Sequence, residues 1–359
     1  MPTYNISDLE AKYGDFHSPE GDVVIEGESA RMAEMAIGWI EVDLSTESKA
    51  DIAKFSIMNA YEWSTSTLSW VNSKIAPGKK LVVKLGYADK KSQVFDGLIT
   101  GYAVEYPSTG SPVVTVTAMD RSFLMMKTSG SKVWKEMKDS DVVRTIASDH
   151  GLTPDIDTLT VQKTTIEQIG ISDFHFVQSL AQDNDYRFHV TGSKLHFRKH
   201  QTSGTPVADL KYGISLRDFT FAVDASGQAS QVKVRGFDTK TKQAVEGTAS
   251  SVTAISGSKS GPSLAAALTA KKIETVYTGV ESVDEANHLA KAMLNRMARD
   301  LVKGQGTCVG FPELLPGELI AISGLGSAID RNLMLTRVIH RLDASDGYLV
   351  QFEAEGNAL

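Results

Sequence analysis

The sequence has one cysteine, no excess of positive charge and no long apolar run. Each shortage removes a class of protein. The single Cys308 rules out an intrachain disulfide framework, and its Thr307-Cys308-Val309-Gly310 setting reads as a strand with a small buried apolar side chain rather than a nucleophile. A net charge of −7 argues against a surface that grips nucleic acid through its phosphates, although DNA could still pass through a channel without being gripped. No apolar run reaches membrane-spanning length, so membrane insertion is not expected. The first residues carry neither a basic n-region nor an apolar h-region, and no signal peptide is expected. Gly-Ser-Lys-Ser-Gly at 257–261 lacks the GxxxxGK[ST] order of a phosphate loop, and no tandem repeat is evident. What remains has the composition of an ordinary globular protein, with 359 residues, enough for two or three domains.

The most informative stretch runs from Ile171 to Lys199. Ser172 can cap a helix whose apolar stripe is Phe174, Val177, Leu180 and Ala181. At Asn184 the period changes to two. Gly192-Ser193 then closes a hairpin in which Val190 faces Leu195 and Phe188 faces Phe197. The other face opposes His189 to His196, Arg187 to Arg198 and Asp185 to His200. Two opposed imidazoles could ligate a metal, but no third ligand is evident, so no metal site is assigned. Two opposed arginines need an acidic partner, which makes this face a candidate for contact with another chain.

Strand-like alternation covers Asp22–Glu28, Ala36–Leu44, Phe55–Met58, Lys80–Tyr87, Gln93–Tyr106 and Val113–Ala118. Thr65–Lys74 reads as a short helix with Leu68 and Val71 inward. Gly97 and Gly101 inside a strand point to a bulge or a close backbone approach. Ser140 is placed to cap a helix with a Val142, Val143, Ile146 and Ala147 stripe, and Gly151 to end it. Strands return at Ser215–Val223 and Gln231–Phe237. Val252–Leu264 reads as a loop. Ser282 and Glu285 form a capping box for a long amphipathic helix over 284–303, with Gly304 ending it. Four strands close the chain. The expected fold class is β-rich α+β, with two antiparallel barrels and an inserted small α+β module. The expected boundaries are an arm over 1–21, a first barrel over 22–125, the module over 126–204 and a second barrel over 205–359.

The run Ser172-Asp173-Phe174, Phe176-Val177-Gln178-Ser179-Leu180-Ala181-Gln182-Asp183-Asn184-Asp185-Tyr186, followed by an aromatic hairpin, resembles the late control protein D family of contractile-tail hubs. That group includes the N-terminal part of VgrG-type spike proteins and the hubs of extracellular contractile injection systems. Gly310-Phe311-Pro312, Pro316-Gly317-Glu318-Leu319-Ile320, Val338-Ile339-His340-Arg341-Leu342 and Gly347-Tyr348-Leu349-Val350-Gln351-Phe352 match its closing barrel in order and spacing, and Phe95-Asp96-Gly97-Leu98-Ile99 also fits. The resemblance implies two barrels akin to tail-tube proteins. It implies a homotrimer whose six barrels join a six-fold inner tube to a three-fold spike, with baseplate wedge and tape-measure proteins as further partners. VgrG-type chains continue into an OB-fold and a needle beyond such barrels, so the spike is expected to be a separate protein. The protein would be made in the bacterial cytoplasm and assembled into a phage or phage-tail-like particle. The family supplies no catalytic residues and no cofactor, and enzymatic activity is not expected.

Two other functions compete. A cell-wall hydrolase would use scattered carboxylates such as Asp183, Asp185 and Glu353. A host-surface or glycan-binding tail component would need an aromatic platform, but Trp39, Trp63, Trp70 and Trp134 are scattered along the chain. His340 lies between strand residues with no base or nucleophile near it in sequence, so a satisfied hydrogen bond is its expected role.

Overall fold

A computed structural model describes residues 3–14, 16–46, 49–269 and 273–359. Alternating burial along the strands builds a 13-stranded sheet. It runs from Leu216–Val223 through Val302–Val309, Gly347–Gly356, Arg331–Asp343, Ile37–Ser45, Ile52–Ile57, Val113–Met119, Lys90–Glu105 and Lys80–Tyr87 to Pro19–Ile25 and Glu28–Ser29. Leu319–Ser323 branches from Arg331–Asp343 and carries Ala208–Lys211 parallel to itself. The N-terminal and C-terminal β-rich stretches thus share one sheet, joined where Arg337 to Asp343 pairs antiparallel with Ser45 to Trp39. Arg337 grips Asp43 across the seam with two 2.9 Å bonds and reaches Glu353 at 3.0 Å. One hydrophobic core runs under both stretches, with Phe55, Leu81, Ile99, Phe311 and Val350 buried in it. Cys308 is buried in the same core, as its strand setting implied.

Two glycines inside the strand Lys90–Glu105 have distinct reasons. A Cβ on Gly97 would sit 2.2 Å from the Met119 carbonyl oxygen, a close backbone approach. Gly101 follows a register shift against Val113–Met119 and has open space around it, as in a bulge.

Among the described residues, four smaller sheets lie apart from the large one, the least of them a ladder of Tyr61–Glu62 with Thr67–Leu68. Thr153–Ile156 pairs parallel with Lys194–Lys199, which forms the hairpin with Tyr186–Thr191. Ser129–Met137 pairs with Lys163–Ser172. Gln231–Asp238 lies between Gln243–Ala249 and a parallel Ile273–Tyr277. The long helix, Val283–Arg299, packs on this last sheet, setting Ala286, Ala290 and Leu294 against Val232, Val234 and Val245. The stretch expected to form the module has a core cluster of its own, with Val142, Ile146, Phe174, Val177, Leu195 and Phe197 buried in it.

Several local expectations need correction. The segment read as an irregular arm holds a helix, Ile6–Tyr13, closed by an Asn5–Asp8 capping box and left-handed Gly14, and then the strand Pro19–Ile25; residues 1, 2 and 15 of it lie outside the described residues. Thr65–Lys74 is not helical. Ser66, Trp70 and Asn72 have positive φ, and the chain makes a two-residue ladder between Tyr61–Glu62 and Thr67–Leu68. The loop over Val252–Leu264 runs only to Ser260, where Gly261–Leu268 starts a helix with Pro262 in its first turn. The long helix ends at Arg299, and Gly304 lies within the strand Val302–Val309. Ser140 lies inside the helix Asp139–Asp149 rather than capping it, and its Oγ accepts from the Leu159 amide at 3.2 Å.

His340 is fully buried, and both ring nitrogens are used. Nε2 donates to the Leu314 carbonyl at 3.1 Å, and Nδ1 accepts from the Tyr348 hydroxyl at 2.8 Å. Burial pushes its pKa down to about 4. The unfolded chain therefore binds this proton first on acidification. Stability is full above pH 6.5 and falls as the pH drops toward about 4. Between pH 7 and pH 5 the ring should cost about 2 kcal/mol of stability. Urea unfolding of the wild type and of His340→Gln at both pH values checks this, since the substituted protein should lack that part of the slope. Equal slopes in the two proteins would refute it.

Candidate functional site

The hairpin has the register read from its turn: Val190 opposes Leu195, Phe188 opposes Phe197, His189 opposes His196 and Arg187 opposes Arg198. Its helix, Asp173–Asn184, is capped by Ser172, whose Oγ accepts from the His175 amide at 3.3 Å, and Asp185 closes it in the left-handed region. Tyr186 pairs with Lys199 as the last rung, so the Asp185–His200 pairing lies beyond the ladder.

The polar face of the hairpin is turned toward its own chain. Asp155, on the neighbouring parallel strand, accepts from His196 Nδ1 and from Arg198 Nη1, both at 2.7 Å, and Asp157 takes Arg198 Nε at 3.3 Å. Burial works to raise the Asp155 carboxyl, but the bond from His196 and the charge of Arg198 outweigh it and hold it below its ordinary range. Arg187 Nη1 donates to the Gly317 carbonyl at 2.8 Å. Gly317 has φ +86°, and a Cβ there would lie 2.0 Å from that nitrogen. Arg198 thus takes its acidic partners, Asp155 and Asp157, from the same chain, while Arg187 takes a backbone carbonyl. The face expected to meet another chain lines a cavity against its own chain's large sheet.

Between this face and the large sheet lies a cavity of about 490 Å³. The His189 and His196 rings stack along it, with centroids 4.6 Å apart and planes at 14°. Burial, then the neighbouring His196 and Arg187, push His189 down to about 3, so its ring is neutral. His189 Nδ1, Arg187 Nε and Asp96 Oδ1 are buried there without a hydrogen-bond partner in the protein. The opposite wall holds a coupled acid pair. Asp120 accepts from the Asp51 amide and the Ser122 amide, both at 2.5 Å, and Asp51 accepts from the Ser45 amide at 2.9 Å. Burial raises both carboxyls, and the charge of Asp120 raises Asp51 further, so Asp51 keeps its proton most readily. Chemically this is a polar seat on which the module rests.

The long helix meets the module through a second polar joint. Buried Arg299 binds Asp185 at 2.6 Å and Glu355 of the large sheet at 3.0 Å, and Asn295 donates to Asp185 at 2.8 Å. One turn and more away, His288 Nε2 donates to Asn184 Oδ1 at 2.8 Å. Asn184 in turn donates to Asp139 at 2.6 Å, and Lys163 pairs with Asp139 at 2.8 Å. His288, Ala292, Asn295 and Arg299 recur at helical spacing, a second stripe visible in the sequence beside the apolar one.

The remaining sequence candidates are dispersed. Asp185 serves the joint, Asp183 lines a different cleft beside the same helix, and Glu353 pairs with Arg337 at the sheet seam. They line different cavities and do not form an acid pair. Among the described residues, no group of three or more His, Cys, Asp or Glu side chains is placed to hold a metal ion. Trp134 stacks on Phe176 at 5.3 Å, whereas Trp63 is exposed and forms an edge-on cluster with Tyr61 and, through it, Tyr106. Among the described residues, no helix is long and apolar enough to cross a membrane.

A family model described as the Alg8 N-terminal domain matches residues 20–344. No curated protein matches the sequence. Among solved structures, the fold is similar to the 43 kDa tail protein of prophage MuSo2 from Shewanella oneidensis, with TM-score 0.70 and 12% identity over 94% of this chain and 98% of that one. A tail protein from Neisseria meningitidis MC58 aligns with TM-score 0.69 and 14% identity, over 94% of this chain and 97% of that one. The E. coli c3393 protein is a component of the type VI secretion system, described as similar in structure to the T4 bacteriophage tail proteins gp27 and gp5. It aligns with TM-score 0.55 and 12% identity, over 89% of this chain and 73% of that one.

Proposed function

Because the chain belongs to the Alg8 N-terminal domain family and has the fold of phage tail proteins, we propose that it is a structural hub of a contractile tail or injection-system baseplate. The observation that carries the reading is the likeness of fold to tail proteins along nearly the whole chain. In this reading the stretches over 22–125 and 205–359 act as two tube-like barrels, with the module over 126–204 between them. Three copies join a six-fold tube to a three-fold spike. The ends of the large sheet support an assembled state. Leu216–Val223 closes one end, and Pro19–Ile25 with the short Glu28–Ser29 closes the other, so each end presents a strand edge that a neighbour would cover. The hub reading assigns the protein no reaction and no cofactor.

Exposed Trp63 and Tyr106, packed edge-on against half-buried Tyr61, favour a second reading, a surface-binding tail component that holds sugar rings against aromatic faces. Native mass measurement with negative-stain imaging of the same peak separates the two. The hub should be a trimer with a central hole and a pseudo-six-fold outline. A chain that stays monomeric after addition of the candidate tube and spike proteins would end the adaptor reading and leave the aromatic cluster as the better guide.

A further inference from the structure

Where the hairpin, the long helix and the end of the large sheet converge there is a second cavity, of about 320 Å³. It shares no lining residue with the cavity under the hairpin's polar face. Its charge is unbalanced. Asp185 is the one acid in its wall, and that carboxylate is already held by Arg299 and Asn295. Lys199, from the end of the hairpin, and Lys291, from the long helix, both border the cavity, and among the described residues neither makes an ion pair.

Two residues that line the same space carry a buried, unpaired polar atom. His200 lines the cavity with its Nδ1 buried and without a partner, and the Tyr186 hydroxyl is in the same position. Burial, then the nearby Arg299 and Arg187, keep the His200 ring neutral, so Nδ1 can carry a hydrogen to donate. Buried donors left unpaired are costly, and a ligand acceptor would relieve both. The apolar lining comes from Leu159, of the helix-hairpin core, and from Ile255 and Met334, which pack together. The size is that of a small-molecule site, which typically spans about 300–1,000 Å³.

We propose that this cavity binds a small phosphorylated molecule. Lys199, Lys291, His200 and Tyr186 hold the phosphoryl oxygens, and the organic body lies on Leu159, Ile255 and Met334. Two uncompensated lysines match the charge of a phosphate monoester, roughly −1.5 to −2 near pH 7, and four donors exceed what a single carboxylate would use. The inference is independent of the hub reading, since it rests on one chain and one cavity.

The test is calorimetric titration of the full chain with inorganic phosphate and, separately, with adenosine monophosphate. The nucleotide should bind, and more tightly than phosphate. Lys291→Ala and Lys199→Ala should each weaken binding about tenfold. Both lysines are exposed, so the ligand-free thermal midpoint should not move, which separates lost binding from lost folding. Equal affinity for the two probes would overturn the role of the apolar wall. Absence of binding by either probe, or binding unchanged in the Lys199→Ala/Lys291→Ala double variant, would overturn the proposal.

Discussion

Replacing Arg299 with methionine should destabilise the protein by about 3–5 kcal/mol. The side chain is 9% exposed and lies between two carboxylates, Asp185 at 2.6 Å and Glu355 at 3.0 Å. Methionine keeps the aliphatic volume and removes the charge, so the loss reports on electrostatics rather than on a cavity. Asn295 and Lys303 remain to serve the two acids, at 2.8 Å and 3.3 Å, and they compensate only in part. The pH dependence has a definite sign. Burial already raises the Asp185 carboxyl against the pull of Arg299, and removing the guanidinium raises it further. An acid with a raised pKa binds its proton more tightly in the folded state, so the folded state gains as pH falls. The deficit of Arg299→Met should therefore shrink on acidification. Adding Asp185→Asn and Glu355→Gln should recover most of it at neutral pH, because the charges that lack a partner are then gone. Denaturant unfolding of the three proteins measures both effects. A loss below about 1 kcal/mol, the range of an exposed pair, would mean that the joint is solvated and does not hold the units together.

What could be read from the sequence divides along a physical line. The hairpin register was legible because a two-residue glycine turn fixes the pairing and one face is continuously apolar. A slip by one residue would bury Arg187 and His189 in the module core. The partners of its polar face were not legible. Asp155 lies on a parallel strand some 40 positions away from His196, and Gly317 lies 130 positions from Arg187. No local pattern encodes such pairings. The capping box of Ser282 and Glu285 was half right: Ser282 Oγ accepts from the Glu285 amide at 3.2 Å, while Glu285 bonds the Glu281 amide at 3.0 Å instead of that of Ser282. Other signals were present and unused. Asn5, Asp8 and Gly14 are the two ends of a short helix, and Gly261-Pro262 begins another. The reading of Thr65–Lys74 failed for the opposite reason. Leu68 and Val71 have helical spacing, but three residues of that stretch take positive φ, a choice made by tertiary packing and not by periodicity.

Gly247 lies directly against the backbone of the long helix, and Gly247→Ala should cost about 3 kcal/mol, the upper end of ordinary overpacking. A Cβ at this position would lie 2.2 Å from the Ala286 carbonyl carbon and 2.2 Å from the Asn287 nitrogen. Both are backbone atoms in the first turns of the helix, so no rotamer change can make room. The helix must move, and it is tied down on two sides. Asn287 Oδ1 accepts from the Thr248 amide at 2.9 Å beside the contact, and at the far end Arg299 is locked into the joint with Asp185 and Glu355. Lifting the first turns therefore strains the His288–Asn184 bond as well, and loosens the module from the helix. Gly101→Ala serves as the control, because its Cβ would enter open space and its φ is not in the positive region. Thermal and urea unfolding should show a large loss for Gly247→Ala and a change within about 0.5 kcal/mol for Gly101→Ala. Hydrogen exchange should place the added opening in the sheet Gln231–Asp238, Gln243–Ala249 and in the helix, ahead of the large sheet. If Gly247→Ala unfolds with the wild type, the helix is not clamped at that point, and the cleft it forms with the module is more compliant than these contacts imply.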